Sequence, residues 1–385
     1  MIPYSRQLIT AADVAAVEAV LQSDFLTQGP VVPRFEQDVA GVCGAGHAVA
    51  VNSATSALHV ACLALGLGPG DWLWTTPNTF VASANCALHC GARVDFVDID
   101  PQSYNMSVAA LTAKLEQAAR DGRVPKVIVP VHFAGQSCDM AAIRALAGRY
   151  GFRIIEDASH AIGGRYRGGL IGSCGYSDIT VFSFHAVKLI TTGEGGMALT
   201  NDPVLAQTMA LLRTHGVTRD PSLMTATPPG AWYYEQVGVG FNFRMTDLQA
   251  ALGISQLSRL AEFVARRREI AVGYDRALTG LPVTVPAQHP DTESAFHLYP
   301  IRLRRDRSSR TRGEVFDGLR GRGIGVNVHY IPMHLHPVYQ AMGFQVGDFP
   351  EAERYYEDAI SLPIHPALRG DDQDAVVTAL GELLA

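Results

Sequence analysis

The chain has 385 residues, of which 48% are hydrophobic and 18% charged, an ordinary composition for a globular protein of two packed domains. Its formal net charge of −6 argues against nucleic acid as a partner, because no basic surface is indicated. No signal peptide or bilayer-spanning stretch is visible, and the six cysteines are scattered without a CxxC pair, so we expect a cytoplasmic protein that has no membrane partner.

The first predicted element is an N-terminal arm, residues 1–30, with one helix that begins near Thr10 and Asp13. From residue 31 to 255, apolar strands alternate with helical patterns. This alternation predicts a large α/β domain with a mostly parallel sheet that is covered by helices on both faces. The candidate strands are 48–52, 72–75, 93–98, 126–131, 152–156, 179–184 and 196–200.

Residues 256–385 begin with a charged helix around Arg266 and continue as helices and short strands, at 296–303 and 325–329. This pattern predicts a smaller C-terminal α/β domain. The proline-rich segment 218–238 that precedes it is irregular and long enough to suggest a functional loop.

The first candidate for a binding site follows the apolar strand that ends at Asn52. Small and hydroxylated residues, from Ser53 to Ser56, open a helical pattern there. Free backbone N–H groups and the positive end of the helix dipole would face an anion at such a turn, so the pattern is typical of a phosphate cradle. An ordinary N-cap remains the alternative, because Ser and Thr are good caps anywhere.

Two further candidates follow later strands. Asp157 comes at the end of the apolar run Ile154–Ile155, and Lys188 lies between the strand that contains Val181 and a glycine-rich turn. A salt bridge at the edge of the sheet is one interpretation of the pair. The other is a pyridoxal phosphate site, in which the lysine amine forms a Schiff base with the cofactor aldehyde and the aspartate holds a proton on the ring nitrogen. The cradle, Asp157 and Lys188 together fit that one cofactor.

Five segments carry a resemblance to a known family, and they are residues 52–59, 79–85, 156–161, 182–196 and 240–251. In this order they resemble the DegT-type sugar-nucleotide aminotransferases of fold type I, across nearly the whole chain. The resemblance implies a large pyridoxal phosphate-binding domain, a smaller C-terminal domain and a homodimer with shared active sites. Residues 23–30, 96–101 and 132–140 resemble the pseudaminic acid branch in particular, although Ala186 stands where that branch usually has proline.

The resemblance also implies roles for individual residues. Lys188 would bond to the cofactor and carry the proton between carbon atoms, and Asp157 would pair with the ring nitrogen. Phe80 would stack on the ring, with a core phenylalanine as the alternative, and His160 would lie nearby unless it is only a core histidine. The phosphate contacts would come from Ala54, Thr55, Ser183 and, reaching across from the neighbouring subunit, Asn242.

The substrate side is less specific. The segment from His329 to His336 contains three histidines, but no carboxylate or cysteine completes a metal-binding spacing, so we expect no metal. The family uses this region to line the substrate side, which makes His329 and Tyr330 candidate contacts. Thr27 and Gly29 are further candidates to face a sugar nucleotide.

The resemblance implies a transfer of the amino group of L-glutamate to C4 of a nucleotide-linked 4-keto-6-deoxy sugar. The branch suggests UDP-2-acetamido-2,6-dideoxy-β-L-arabino-hex-4-ulose as the acceptor, for pseudaminic acid synthesis. An aminotransferase for a different nucleotide ketosugar is the first alternative. A non-catalytic, cofactor-binding regulatory protein is the second, but the sequence contains no visible DNA-binding module to support it.

Overall fold

The structure is a computed structural model that describes residues 1–385. Its strands are β1 (His47–Val51), β2 (Trp72–Thr75), β3 (Arg93–Phe96), β4 (Val127–Ile128), β5 (Arg153–Asp157), β6 (Arg165–Tyr166), β7 (Gly169–Leu170), β8 (Ile179–Ser183), β9 (Gly196–Thr200), β10 (Val217–Thr218), β11 (Glu235–Gln236), β12 (Val283–Thr284), β13 (Thr292–Glu293), β14 (Tyr299–Leu303) and β15 (Ala359–Leu362).

The α-helices are α1 (Ala11–Leu21), α2 (Val31–Cys43), α3 (Ala54–Ala64), α4 (Ala82–His89), α5 (Val108–Arg120), α6 (Met140–Tyr150), α7 (Pro203–Arg213), α8 (Asp247–Leu257), α9 (Leu260–Ala277), α10 (Arg312–Gly321), α11 (Pro337–Gln340), α12 (Pro350–Asp358) and α13 (Gly370–Leu384). None of them is long and apolar enough to cross a membrane.

The central sheet has seven strands in the order β1-β9-β8-β5-β4-β2-β3. Neighbours from β8 to β3 pair in parallel, whereas β9 is antiparallel to both β1 and β8. The expectation of a mostly parallel sheet covered by helices is therefore confirmed. The five parallel strands end at one edge, where ligands bind in sheets of this type.

Several strand predictions were too long, and one predicted strand is absent. The predicted strand 126–131 is only β4, because the chain reaches Pro130, which has no N–H to donate to a neighbouring strand. The predicted strand 325–329 is absent, and one isolated bridge joins Asn327 to Ser361 there. The strand predicted at 296–303 begins at Tyr299.

Four buried clusters form the core, and the largest contains 36 residues around α3, α4 and the central strands. A separate cluster of 19 residues lies between β14, β15 and the helices α9, α10 and α13. The N-terminal arm joins this second region, because Ile2 bridges to Ile324 and the carbonyl of Tyr4 accepts from the N–H of Ile364. All six cysteines are buried and unpaired, as expected for small core residues.

The segment predicted to be an irregular loop is partly ordered. The short strands β10 and β11 pair antiparallel at its base. Between them the chain is largely exposed, and 74% of the surface of Trp232 and 55% of that of Tyr234 is accessible.

Candidate active site

A cavity of about 560 Å³ opens at the carboxyl ends of the parallel strands. It brings together nine of the twelve predicted site residues, Ala54, Thr55, Phe80, Asp157, His160, Ser183, Lys188, His329 and Tyr330. These residues come from segments that are up to 276 positions apart in the chain (330 − 54). The sheet edge predicted from the strand pattern is therefore where the predicted side chains meet.

Lys188 differs from the other two lysines of the chain. Lys114 pairs with Asp95 at 2.7 Å and Lys126 pairs with Asp71 at 2.9 Å, whereas Lys188 has no salt bridge. Burial in the cavity lowers the pKa of Lys188 to about 8, although the charge of Asp157 acts in the opposite direction. A larger share of this amine is therefore neutral near physiological pH than for an ordinary lysine, as a nucleophilic amine requires.

Asp157 is the last residue of β5, and its side chain is 5% exposed. Its Oδ2 accepts a hydrogen bond from Ser83 Oγ at 2.6 Å, and its Oδ1 accepts one from the Ser159 N–H at 3.1 Å. Its main chain is held as well, because its N–H donates to the Pro130 carbonyl and its carbonyl accepts from the His132 N–H. The carboxylate is thus fixed in position with lone pairs to spare on both oxygens.

The residue before it, Glu156, belongs to a buried pair that the sequence analysis did not identify. His132 Nε2 lies 2.6 Å from Glu156 Oε2, and the Cys138 N–H donates to His132 Nδ1, so Nε2 carries the proton that is shared with the carboxylate. Burial acts to raise the pKa of Glu156, but hydrogen bonds from His132 and from two hydroxyl groups outweigh it and lower the pKa. His132 therefore binds Glu156 through its side chain and Asp157 through its main chain.

The turn from β1 into α3 has the geometry of the predicted phosphate cradle. Ser53 is the N-cap, and its hydroxyl accepts from the Ser56 N–H at 3.1 Å. The N–H groups of Ala54 and Thr55 have no hydrogen-bond partner in the protein. Both residues lie in the first turn of α3, at the end of the helix that lines the cavity. Two free donors at the positive end of a helix dipole fit a phosphate group.

One glycine makes the cradle possible. Gly196, the first residue of β9, lies so close to the turn that a Cβ there would overlap the Ala54 nitrogen and the Ser53 carbonyl. Ser183, at the end of the neighbouring strand β8, lines the same part of the cavity. The cradle is therefore formed by three adjacent elements of the sheet.

Three buried histidines lie near Lys188. His160 Nε2 is 3.1 Å from the Tyr330 hydroxyl, and the rings of His160 and His297 are 4.5 Å apart. His329 Nδ1 lies 2.8 Å from the Ser361 hydroxyl. Burial, followed by the charge of Lys188, lowers the pKa of His329 to about 3. Burial likewise places the pKa values of His160 and His297 well below the usual value, so all three rings are neutral at physiological pH.

Phe80 is 58% exposed although its ring lines the cavity, and it lies 6.3 Å from the Tyr330 ring. The alternative interpretation, that Phe80 is a phenylalanine of the hydrophobic core, is therefore wrong. An apolar ring that faces the cavity rather than the core offers a flat surface to a planar ligand.

The three remaining predicted residues lie outside this cavity in the same chain. Thr27 forms an isolated bridge with Thr246, and the Gly29 N–H donates to Asp247 at 2.6 Å. Asn242 is exposed and bridges to Thr214. A second cavity, of about 210 Å³, is lined by Gly29 and Thr214 among others. The predicted roles of these residues toward the Lys188 cavity stay predictions.

Several cavity or support residues besides the His132–Glu156 pair received no predicted role, and they include Tyr4, Ser83, His297 and Asn327. Tyr4 comes from the N-terminal arm, and its ring lies 5.7 Å from that of His329. Ser83 lies in the resemblance segment 79–85, but no spacing in the sequence assigns chemistry to it or to the other three. A second histidine of the predicted substrate segment, His334, pairs with Glu353 at 2.7 Å.

These groups fit pyridoxal phosphate. Two free N–H donors can receive the phosphate, the carboxylate of Asp157 can receive a protonated ring nitrogen, and the amine of Lys188 can receive the aldehyde. The aromatic face of Phe80 suits the ring.

Comparison with known proteins agrees with this fit. The profile of the DegT/DnrJ/EryC1/StrS aminotransferase family matches residues 7–381. The chain is 42% identical over 386 aligned residues to the spore coat polysaccharide biosynthesis protein SpsC of Bacillus subtilis, covering 100% of this chain and 97% of that protein. It is 39% identical over 358 residues to the GDP-perosamine synthase of Caulobacter vibrioides, covering 92% and 91%.

Among solved structures, the chain is similar to Helicobacter pylori PseC, an aminotransferase involved in the biosynthesis of pseudaminic acid. The TM-score is 0.90 and the sequence identity is 32%, and the match covers 100% of this chain and 99% of that one.

Proposed function

The chain belongs to the DegT/DnrJ/EryC1/StrS aminotransferase family, and from this premise we propose that it moves an amino group from L-glutamate to C4 of a nucleotide-linked 4-keto-6-deoxy sugar. It is a pyridoxal phosphate-dependent sugar aminotransferase. The observation that carries the proposal is the position of Lys188, the one lysine without a salt bridge, in the same cavity as Asp157 and the cradle of Ala54 and Thr55.

Pyridoxal phosphate, when bound, supplies an electron sink for the bond changes at the amino-bearing carbon. Lys188 would hold the cofactor through its Nζ and, once displaced by the amino donor, move a proton with the same atom. Its lowered pKa, about 8, suits both tasks, because the amine must be neutral to bond and must gain and lose a proton near the working pH. Asp157 would keep the ring nitrogen protonated.

The other cavity residues would position the cofactor. The N–H groups of Ala54 and Thr55 and the hydroxyl of Ser183 would bind the phosphate, and Phe80 would cover the ring. His160, which is neutral and close to the Tyr330 hydroxyl, would lie beside the ring as a hydrogen-bonding group without charge.

The acceptor that we propose is UDP-2-acetamido-2,6-dideoxy-β-L-arabino-hex-4-ulose, for pseudaminic acid synthesis. The similarity to Helicobacter pylori PseC over the full chain supports it, as do the segments 23–30, 96–101 and 132–140. His329 and Tyr330 are the proposed contacts to the sugar, because they line the cavity close to Lys188.

A different nucleotide 4-ketosugar is the second candidate. The 39% identity to a GDP-perosamine synthase over 92% of this chain supports a GDP-linked acceptor, whereas the segments named above favour the UDP-linked one. The chemistry at Lys188 is the same in both cases. The two candidates differ in the nucleotide and in the substituents and stereochemistry of the sugar.

We further propose a homodimer with shared active sites. Thr27, Gly29 and Asn242 lie together outside the Lys188 cavity of their own chain, close to the exposed loop that carries Trp232. In the dimer, Asn242 would reach the phosphate in the partner's cavity, and Thr27 and Gly29 would face the partner's substrate.

The test uses the purified enzyme with pyridoxal phosphate, L-glutamate and a panel of UDP-, GDP- and dTDP-linked 4-keto-6-deoxyhexoses. We expect formation of 2-oxoglutarate and of a 4-amino product from the UDP-linked 2-acetamido sugar, identified by mass spectrometry and NMR at C4. A kcat/KM that is higher for the GDP-linked sugar would replace the first candidate by the second. No amine product from any ketosugar would overturn the proposed function.

A further inference from the structure

The hydroxyl of Ser83 is the closest side-chain partner of Asp157. Ser83 is fully buried in the first turn of α4, and its Oγ lies 2.6 Å from Asp157 Oδ2. A carboxylate can only accept a hydrogen bond, so the Ser83 proton points at Asp157. The distance is typical of a hydroxyl bound to a charged oxygen, which is the stronger class of hydrogen bond.

A second hydroxyl fixes the first. Thr79 Oγ1 lies 2.7 Å from Ser83 Oγ and is also buried. Because Ser83 uses its only proton on Asp157, Thr79 must donate to Ser83. The three side chains therefore form a one-way chain, Thr79 to Ser83 to Asp157, that ends on the carboxylate facing Lys188.

We propose that Ser83 is a positioning residue for the reaction, which orients the Asp157 carboxylate and withdraws part of its negative charge from the cavity. The role of Ser83 rests on the proposed function of Asp157 toward the ring nitrogen of pyridoxal phosphate. The Ser159 N–H holds the other oxygen, so the loss of Ser83 frees one oxygen of the carboxylate and leaves the other bound. The carboxylate can then turn away from the ring nitrogen.

The hydrogen bond from Ser83 to Asp157 also affects the pKa of Lys188. The negative charge of Asp157 acts to raise the pKa of the Lys188 amine against the effect of burial. A hydrogen bond to the carboxylate weakens that influence, and its removal strengthens it. Without Ser83, the nitrogen of Lys188 holds its proton to a higher pH.

The experiment compares three variants with the wild-type enzyme, all saturated with pyridoxal phosphate. Ser83→Ala removes the donor to Asp157, and Thr79→Val removes only the donor behind it. Thr75→Val is the matched control, because the Thr75 hydroxyl is also buried but donates to the Val129 carbonyl, away from the cavity. The readouts are the pH titration of the visible absorbance of the bound cofactor, and kcat and KM.

For Ser83→Ala we expect the midpoint of the absorbance titration to rise by about 0.5 to 1 pH unit. We also expect kcat to fall about tenfold, with KM for both substrates within about twofold of wild type. Thr79→Val should shift both quantities in the same direction by less, and Thr75→Val should leave them at the wild-type values.

An unchanged midpoint and kcat in Ser83→Ala would overturn the role of Ser83, and so would an equal shift in Thr75→Val. These outcomes are separate from failure of the proposed function. If the wild-type enzyme shows no visible absorbance that depends on Lys188, the proposed cofactor site is wrong, whatever Ser83 does.

Discussion

At the scale of the residue, what distinguishes Lys188 is the lack of a carboxylate bound to it. A bound carboxylate acts to raise the pKa of a lysine and favours its charged form, as Asp95 does at Lys114, although burial there outweighs it and lowers the pKa. Lys188 lies in the cavity with Asp157 near enough to influence its charge but not bound to it, and its pKa falls to about 8. The same position would allow a ligand to enter between the two side chains.

Replacing Lys188 tests this assignment directly. Lys188→Ala should fold, because no salt bridge is lost, and should retain some cofactor through the cradle. It should lose the visible absorbance of the lysine-bound cofactor and all measurable turnover. Borohydride reduction followed by peptide mapping should place the cofactor on Lys188 in wild type, and the chain contains only two other lysines to consider. Cofactor found on Lys114 or Lys126 would contradict the assignment, and global unfolding of the variant would favour a structural role.

The charge of Asp157 is the second residue-scale test. Asp157→Asn keeps the shape of the side chain but cannot hold a proton on a ring nitrogen as a carboxylate does. We expect kcat to fall by on the order of 10²-fold or more, by analogy with the loss of one charge contact in a transition state. Cofactor affinity, measured by equilibrium dialysis, should change less than kcat. Turnover close to that of wild type would contradict the proposed role.

At the scale of the element, the cradle depends on how three elements meet. The turn before α3 leaves its N–H groups free because β9 packs beneath it without a side chain at Gly196. The antiparallel position of β9 between β1 and β8 brings this glycine to the turn. Strand order, rather than the motif alone, therefore keeps the cradle open.

A methyl group at Gly196 tests this packing. Gly196→Ala should displace the α3 turn, because a Cβ would overlap backbone atoms that cannot rotate away. We expect the Kd for pyridoxal phosphate to rise by about tenfold or more, taking the loss of one to two charge-assisted hydrogen bonds as a guide. Gly46→Ala is the matched control, since its Cβ would meet other atoms at no less than 3.5 Å. Equal Kd values for the two variants would show that Gly196 does not support the cradle.

At the scale of the whole molecule, the proposed site is incomplete in one chain. Asn242 lies 54 residues after Lys188 (242 − 188) and outside its cavity. The division into an arm (1–30), a large domain (31–255) and a small domain (256–385) also stays a prediction. The arm nevertheless bears on the site, because Tyr4 lines the cavity while Ile2 bridges to Ile324.

A hybrid dimer tests the shared site. Lys188→Ala and Asn242→Ala are first shown to be impaired as homodimers, and are then co-expressed with different tags so that the hybrid can be isolated. If the sites are shared, one site of the hybrid loses both residues and the other recovers both. The hybrid should then have about half the wild-type activity, provided that the two sites are independent. A hybrid no more active than the better parent would rule out the shared site.

The buried histidines predict how stability depends on pH. Burial lowers the pKa of His329 to about 3 and that of His365 to about 4. The unfolded chain, with histidine pKa values of about 6.5, therefore binds protons that the folded state does not bind between pH 6.5 and 4. Stability should be constant with respect to these groups above pH 6.5 and should fall as the pH drops below it.

We expect the Tm of the cofactor-saturated enzyme to fall by more than about 5 °C between pH 7 and pH 5. His365→Gln should reduce that loss, because one group that titrates in this range is removed. His47→Gln is the control, since His47 is exposed. The prediction would be contradicted by a Tm that does not change between pH 7 and pH 5. It would also be contradicted if His365→Gln and His47→Gln lost the same number of degrees in Tm over this range.

Much of the fold and of the candidate site could be predicted from the sequence by itself. The alternation of strands and helices determined a mostly parallel sheet, and in such a sheet residues at strand ends share one edge. Asp157, Lys188 and the turn at Ala54 could be found for that reason, since each lies at the end of a strand or shortly after it. The resemblance then identified the family and implied its cofactor, because the five motifs in their fixed order are specific to that family and the pattern of strands is not.

Only the tertiary structure decided what surrounds these residues. Ser83 reaches Asp157 across 74 positions and Tyr4 lies beside His329, and neither contact leaves a local pattern in the sequence. Only the structure shows that Asn242 does not line the cavity of its own chain. The physical reason is the same throughout: a strand end determines where a side chain begins, whereas its partners and its burial, and hence its pKa, depend on which distant segments pack against it.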